Sequence, residues 1–352
     1  MSEQRPVPVL KVLDAEPNGF CEPGSDYCEV PNPQPNPTEG TASMRALQIT
    51  EYGDNGVLTI ADVSLPAPAG SQVLIKVQAA ALNPLDATLR SGHAQAVMPL
   101  QFPATLGGDV AGVVAAVGPD VTDFAVGDRL YGNAYTLLGG SGAIAEQALV
   151  QSGNLAPIPG ELSFVDAASM PVGGTTAVEA IVNNLKVRSG QKVFISGGSG
   201  AVGSAAIQLA KHLGAHVATT ASGDGLDLVR ELGADEVFDH TNTDFSEHLR
   251  NFDAVLDGVG GAPLDKAYGI LRRGGTLVSV SGAIDQARAD ELGLTAIRQA
   301  AQSDGVLRQL TAYLATGAIT ARVGRTYPLE EVAAAFTALE NRSVRGKIVI
   351  IL

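Results

Sequence analysis

Apolar positions change their spacing twice along the chain. From Arg45 the runs RALQIT, LTIADV, QVLIKVQAAAL and DVAGVVAAVG are short and are separated by Gly, Pro and Asp turns. That pattern predicts β-strands and little helix. At Ser163 the stretch SFVDAASMPVGGTTAVEAIVNNL takes up helical spacing, with Ser163 and Asp166 placed to cap it. After Ser189 the two patterns alternate. QKVFIS reads as a buried strand and is followed by a helix over 203–213, strand HVATTA and helix LDLVREL ending at Gly233. Strands EVFDH and DAVLDGVG, a helix over 263–272 and strand GTLVSVSG complete the series. Strands alternating with helices of about ten residues predict right-handed βαβ units and a parallel sheet. LTAIRQA at 294–300 fits a sixth, edge strand. A helix over 304–316 leads through EEVAAAFTALE to a last apolar strand, GKIVIIL, expected to return to the β-rich part.

Composition separates the first 43 residues from the rest. They hold eight of the 19 prolines, including PNPQPNP at 31–37, and seven acids against two bases. This reads as a Pro-rich, largely disordered arm. It is either a tail without catalytic role or a redox-sensitive or partner-binding peptide. Cys21 and Cys28, the only two cysteines, lie in it, and the turn-forming GFCEPGSDYC would let them close a loop. The body therefore has no catalytic cysteine and no cysteine zinc site. A net charge of −14 and a pI near 4.7 argue against nucleic acid or an anionic membrane as partner. No apolar run reaches the ~18 residues of a membrane helix, and no basic region precedes an apolar one at the N-terminus. The expectation is a cytoplasmic chain.

The chemistry concentrates in SGGSGAVGSAAIQLAKHLGAHVATTASGDG, residues 196–225. Gly198-Ser199-Gly200-Ala201-Val202-Gly203 matches G-x-G-x-x-G between a buried strand and a helix, the context a dinucleotide requires. The first glycine permits a tight turn, the second a close approach of backbone to pyrophosphate, the third close helix–strand packing. The helix N-terminus offers free N–H groups to the phosphates. An NAD site places Asp or Glu at the end of the next strand, about 20 residues on. Here that strand ends Thr219-Thr220-Ala221-Ser222. A neutral, hydroxyl-bearing tip favours NADPH over NADH, although the following GDG loop brings Asp224 and no Lys or Arg.

With these residues in place the chain resembles the medium-chain dehydrogenase/reductase superfamily, in its zinc-independent quinone oxidoreductase (ζ-crystallin-like) branch. The resemblance covers about residues 44–352. It is carried by ALNPLDATLRSG at 81–92, LGGDVAGVVAAVGPDVTDFAVGDRLYG at 106–132, the GGSGAVG turn with QLAKHLGA, the spacing of residues 228–239, and RGKIVIIL. It implies an α/β protein in which a GroES-like β-rich catalytic domain (44–165 and 304–352) is interrupted by a Rossmann doubly wound parallel sheet (166–303). Zinc-dependent relatives carry Gly-His-Glu where this chain has Gly108-Asp109, and His93 and His212 stand alone, so no metal is expected.

Several site residues follow from the resemblance. Asn83 is expected beside the nicotinamide or the substrate carbonyl, or only as a turn residue before Pro84. Asp86 and Arg90 read as an i, i+4 ion pair. Thr176 matches a family threonine near the carboxamide, and Val178 stands where many relatives have an aromatic, which implies a wider pocket here. His240 falls where relatives have a tyrosine near the adenosine phosphate, or is a solvated strand-end histidine. Ser281 and Gly282 close the fifth strand at the cofactor edge. Tyr52 and Tyr131 are candidates to line the substrate cleft and donate a proton, with packing as the alternative. The activity implied is hydride transfer from NADPH to a quinone or an activated C=C. An enoyl reductase of a biosynthetic pathway and a nonenzymatic NADPH-binding or regulatory protein are the rivals. A homodimer through the edge strand near 294–300 is also implied.

Overall fold

A computed structural model describes residues 43–299 and 305–352. All but the last residue of the expected arm, Cys21 and Cys28 included, lies outside them. In chain order the first half gives β1 (Met44–Ile49), β2 (Thr59–Val63), β3 (Gln72–Ala81), α1 (Pro84–Arg90), β4 (Ala104–Thr105), β5 (Asp109–Val117), β6 (Arg129–Asn133), β7 (Gln147–Gln151), β8 (Leu155–Pro157), α2 (Phe164–Ala168) and α3 (Pro171–Val178). There follow β9 (Lys192–Ser196), α4 (Ala201–His212), β10 (His216–Ala221), α5 (Gly225–Glu231), β11 (Glu236–Asp239), α6 (Phe245–His248), β12 (Phe252–Asp257), α7 (Gly261–Ala267), β13 (Leu271–Ser279), α8 (Gln286–Leu292) and β14 (Thr295–Arg298). The chain closes with α9 (Val306–Ala315), β15 (Val323–Pro328), α10 (Val332–Glu340) and β16 (Lys347–Ile351).

The β-rich part forms a seven-stranded sheet in the order β15-β16-β3-β5-β6-β8, with β7 also on β3, and a small sheet β2-β1-β4. As expected, the last strand returns: β16 lies antiparallel to β3, with Val349 opposite Ala81. The second part is a six-stranded sheet in the order β11-β10-β9-β12-β13-β14, parallel throughout. Phe194, Ile195, Val217, Ala218, Val255, Leu256, Leu277 and Val278 in its strands are all fully buried. Such continuous apolar runs mark a sheet covered on both faces. β14 is its edge, where the sequence predicts it.

Three differences from the sequence pattern have local causes. The helical stretch from Ser163 is interrupted: α2 is capped by Ser163, which accepts from the Asp166 N–H, but Pro171 starts a separate helix. α3 then runs into a π-helical turn over Glu179–Asn184. The helix expected over 263–272 is α-helical only to Ala267, continues as a 3-10 turn over Tyr268–Ile270, and Leu271 is already in strand. There the β12–β13 register slips between Phe252 and Ala254, and Arg272 holds the bulge through its 2.6 Å bond to Asp253. Strand β15 has no apolar signature because only Tyr327 in it is buried and it pairs only with β16.

The sheet interior tolerates no extra atom at Gly112, where a Cβ would lie 2.2 Å from the Lys76 carbonyl oxygen across the β3–β5 ladder. Gly112→Ala is expected to destabilise by about 1–3 kcal/mol through overpacking. Gly153→Ala, with nothing within 4 Å of the added carbon, should stay within about 0.5 kcal/mol of the parent. Chemical denaturation of both variants checks the pair.

Candidate functional site

The parallel strands end together at one edge, and most of the predicted cofactor residues lie in the loops that leave it. In the glycine turn, the left-handed residue is Gly197 (φ 75°), not Gly198. Gly198 is needed for a different reason: a Cβ there would sit 2.1 Å from Thr219 Oγ1. A Cβ on Gly203 would lie 2.3 Å from the Gly197 carbonyl oxygen, so the third glycine does let α4 close on the turn. Gly200 is the exception. A Cβ there would meet only the Gly197 oxygen, at 3.4 Å. Protein packing leaves that face open, as a bound pyrophosphate requires. Beyond it begin Ala201 and Val202, in the first turn of α4, whose N–H groups have no partner within the helix.

The tip of β10 differs from the expectation of a hydroxyl-bearing strand end. Thr219 and Thr220 are buried, and their hydroxyls serve the turn: Thr219 donates to the Ile195 carbonyl (2.7 Å) and Thr220 accepts from the Gly197 N–H (3.0 Å). Only Ser222 stays half-exposed at the tip. The loops after β12 and β13 are organised by Asp257, fully buried. It accepts from Ser196, Ser279 and the N–H groups of Val259 and Gly260 at 2.7–3.2 Å. Gly282 packs against Gly260, where a Cβ would come within 3.1 Å of its Cα, and the Ser281 hydroxyl donates to the Gly258 carbonyl. His240 is exposed just past β11 beside Asp239, whose carboxylate is held below its usual range chiefly by Thr241.

On the β-rich side, Asn83 is the N-cap of α1 and lies in a buried polar cluster. Its backbone N–H donates to Asp86 Oδ2 (2.7 Å), its Nδ2 to Asp109 Oδ2 (3.0 Å), and its Oδ1 accepts from Lys347 Nζ (2.6 Å). Lys347 Nζ also donates to the Leu82 carbonyl and to Asp109 Oδ2, both at 2.9 Å. The Asn83 amide is therefore a structural hub, and its side chain also lies against the buried Tyr135 hydroxyl. Asp109 Oδ1 accepts from the Val172 N–H (2.9 Å), which fastens α3 to the cluster. One residue on, Gly173 lies against the start of α4, where its Cβ would be 3.1 Å from that of Ala201. A contact chain thus runs from Asn83 through Asp109 and α3 to the glycine turn. Thr176, in the last turn of α3, is half-buried, and its carbonyl accepts from Gln299 Nε2 (3.1 Å).

Three expectations need correction. Tyr131 does not line a cleft: it is fully buried in the core and its hydroxyl meets Thr311 Oγ1 at 2.9 Å. Thr311 donates onward to the Leu307 carbonyl, so Tyr131 is the donor and its proton is engaged. Burial pushes that phenol up to about 12. Asp86 and Arg90 do not pair. Arg90 instead bonds the Gly53 carbonyl, Asn55 Oδ1 and Glu340, because it lies against α10. Val178 is core, not pocket lining. Tyr52, by contrast, is half-exposed. Its hydroxyl accepts from the Leu100 N–H (2.8 Å) and keeps its own proton to give, while its ring meets Phe102 edge-on at 4.8 Å.

Asp109, Tyr135, Lys347 and Gln299 were not foreseen. Lys347 carried a signal, as a charge opening an otherwise apolar strand. Burial, above all, raises Asp86 to about 7, and Asp109 adds to it. Tyr135 is held well above its ordinary value by burial and by the two carboxyls. Among the described residues no three His, Cys, Asp or Glu side chains converge in a way that would hold a metal. His93 bonds Ser91, and His212 lies edge-on to Tyr313. The donor set therefore does not fit a zinc ion.

Residues 69–160 match the alcohol dehydrogenase GroES-like domain, and residues 232–350 a domain described as zinc-binding dehydrogenase. The chain is 37% identical to the NADPH-dependent alkenal/one oxidoreductase of Arabidopsis thaliana chloroplasts, over 87% of this chain and 79% of that one. It is 31% identical to human quinone oxidoreductase, over 89% and 99%. A mycobacterial protein solved in complex with NADPH superposes with a TM-score of 0.78 at 31% identity, over 88% of this chain and all of that one. The fold and these matches define a medium-chain dehydrogenase/reductase. Within that superfamily the chain belongs to the quinone oxidoreductase branch. None of its described helices is long and apolar enough to cross a membrane.

Two substitutions test the buried cluster. Lys347→Met strands the Asp109 carboxylate without its cation and should cost about 3–5 kcal/mol in denaturant unfolding. Asp86 gives a pH signature. Its folded value is about 7, against about 3.9 in an unfolded chain. Between those values the native state holds a proton that the unfolded chain has lost. The contribution of Asp86 to stability is therefore greatest below about pH 4 and falls as pH rises through 7. Asp86→Asn removes the decline, so the Tm of the variant relative to the parent should rise from about pH 5 to about pH 8. A pH-independent difference contradicts this.

Proposed function

We propose that the protein is an NADPH-dependent reductase that delivers hydride to a quinone or an α,β-unsaturated carbonyl without a metal ion. The single observation that carries the cofactor reading is the open face at Gly200, set between a tightly closed glycine turn and the first turn of α4. The names of the most similar relatives support the acceptor class. Residues 166–303 are read as the cofactor-binding domain, and 44–165 with 304–352 as the catalytic domain.

Bound NADPH would supply the hydride. The chain supplies position and polarity. The turn at Gly198, Gly200, Ala201, Val202 and Gly203 would hold the pyrophosphate; Ser222 and His240 would flank the adenosine end, and Thr176, Ser281 and Gly282 the remainder of the strand-end groove. The Asn83 amide, its direction fixed by Asp109 and Lys347, would lie beside the acceptor oxygen or the carboxamide. A quinone or enone is already electron-poor, so one or two neutral donors suffice to stabilise charge developing on its oxygen. Tyr52, half-exposed and accepting only from the Leu100 N–H, would be one source of the proton, and solvent the other. β14, at the free edge of the parallel sheet, would form the contact of a homodimer.

The assay is NADPH oxidation with a panel of quinones and enones. Reduction of at least one class supports the proposal; tight NADPH binding with no acceptor reduced establishes the binding-protein reading instead. Gly200→Val fills the open face without a packing clash. It should leave Tm near that of the parent and weaken NADPH binding at least tenfold, as read by nicotinamide fluorescence. Equal loss of stability and affinity would show the face to be structural.

A further inference from the structure

The loop after β10 contains no base, yet a base stands beside it. Gly223 is at φ 53°, and a carbon added to it would lie 3.8 Å from the Arg345 guanidinium. Arg345 is 122 residues away in sequence, in the turn that leads into β16. Its backbone is fixed: a Cβ on Gly324 would fall 1.8 Å from the Arg345 carbonyl oxygen, and the next residue, Gly346, has φ 86° against the Arg322 carbonyl. The guanidinium itself is exposed and makes no hydrogen bond or ion pair with any described residue. Asp224 lies in the same loop and does not pair with it. In the same loop, the position a Cβ on Gly225 would take lies 3.0 Å from the Ser199 hydroxyl. The loop after β10 thus has Arg345 beside it at Gly223, Ser199 beside it at Gly225, and Ser222 half-exposed at its start.

We propose that Arg345 is the residue that selects NADPH over NADH, by pairing with the 2′-phosphate of the adenosine ribose. This rests on the reading that the glycine turn binds NADPH. A phosphomonoester carries close to two negative charges and three acceptor oxygens, which suits a guanidinium fork flanked by hydroxyls. A 2′-hydroxyl offers neither charge nor reach. The base comes from the turn that leads into β16 of the seven-stranded sheet, not from the parallel sheet that holds the rest of the cofactor. NADPH would therefore gain a contact to the β-rich part at its adenosine end that NADH lacks.

The test is equilibrium binding of NADPH and NADH to the full chain and to Arg345→Gln and Arg345→Lys, read by nicotinamide fluorescence. Calorimetry with adenosine 2′,5′-bisphosphate and 5′-AMP repeats the comparison without nicotinamide. Arg345→Gln should raise the NADPH Kd about 10- to 100-fold, the loss of a charge-assisted bond, and leave the NADH Kd unchanged. Arg345→Lys should recover part of the loss, since charge returns without the fork. The unchanged NADH Kd also reports that the variant is folded. A preference for NADPH that survives Arg345→Gln, or a loss shared equally by NADH, overturns the role of Arg345 alone. A parent chain that binds NADH as tightly as NADPH overturns the cofactor reading and this assignment with it.

Discussion

One ammonium group, Lys347 Nζ, ties its own strand to two distant parts of the chain. It reaches the Leu82 carbonyl at the end of β3, the Asn83 amide at the start of α1 and the Asp109 carboxylate at the start of β5. All of these groups are buried, so the pair has the full cost of desolvation to offset, and it does so by satisfying each oxygen with a hydrogen bond. Asp86, pushed up to about 7 by burial, carries less negative charge near neutral pH than an ordinary carboxyl and so eases the remaining imbalance. The cluster fixes Asn83 on one side and, through the Val172 N–H, the helix that bears Thr176 on the other.

That arrangement occupies the place where the family resemblance puts the Gly-His-Glu motif of zinc-dependent relatives. Here the carboxylate of Asp109 is turned inward and consumed by an internal ion pair. The chain therefore holds a fixed charge pair at that place. The metal-free reduction proposed for it would demand orientation more than electrophilic force: an electron-poor acceptor, a hydride donor and one or two neutral hydrogen-bond donors held in register.

Much of this was legible in the sequence, and the boundary is physical. The four inner parallel strands and the return of β16 are readable because each buries an apolar run between turn residues, whereas the outer strands at 236–239 and 295–298, only partly buried, are readable from the alternation with helices. The glycine turn was readable because its roles are local, although it took the backbone to show that Gly197, not Gly198, adopts the left-handed conformation. Strand β15 was not readable, since an exposed edge strand needs no apolar face. Tyr131 and Tyr52 look alike in sequence. Only tertiary packing separates a phenol engaged with Thr311 from one with a proton to spare. Likewise the missing base near Ser222 was a true absence within the loop, and Arg345 fills it from a segment whose proximity no spacing rule could reveal.

The central claim is metal-free hydride delivery from NADPH to an activated double bond. Its most direct test uses NADPH deuterated at the transferable position of the nicotinamide, protein exhaustively treated with a chelator, and mass spectrometry of the product of an enone. The account predicts one deuterium on the β-carbon of the saturated ketone and a turnover rate unaffected by chelation. Product without deuterium, or activity lost on chelation and restored by zinc, would contradict it.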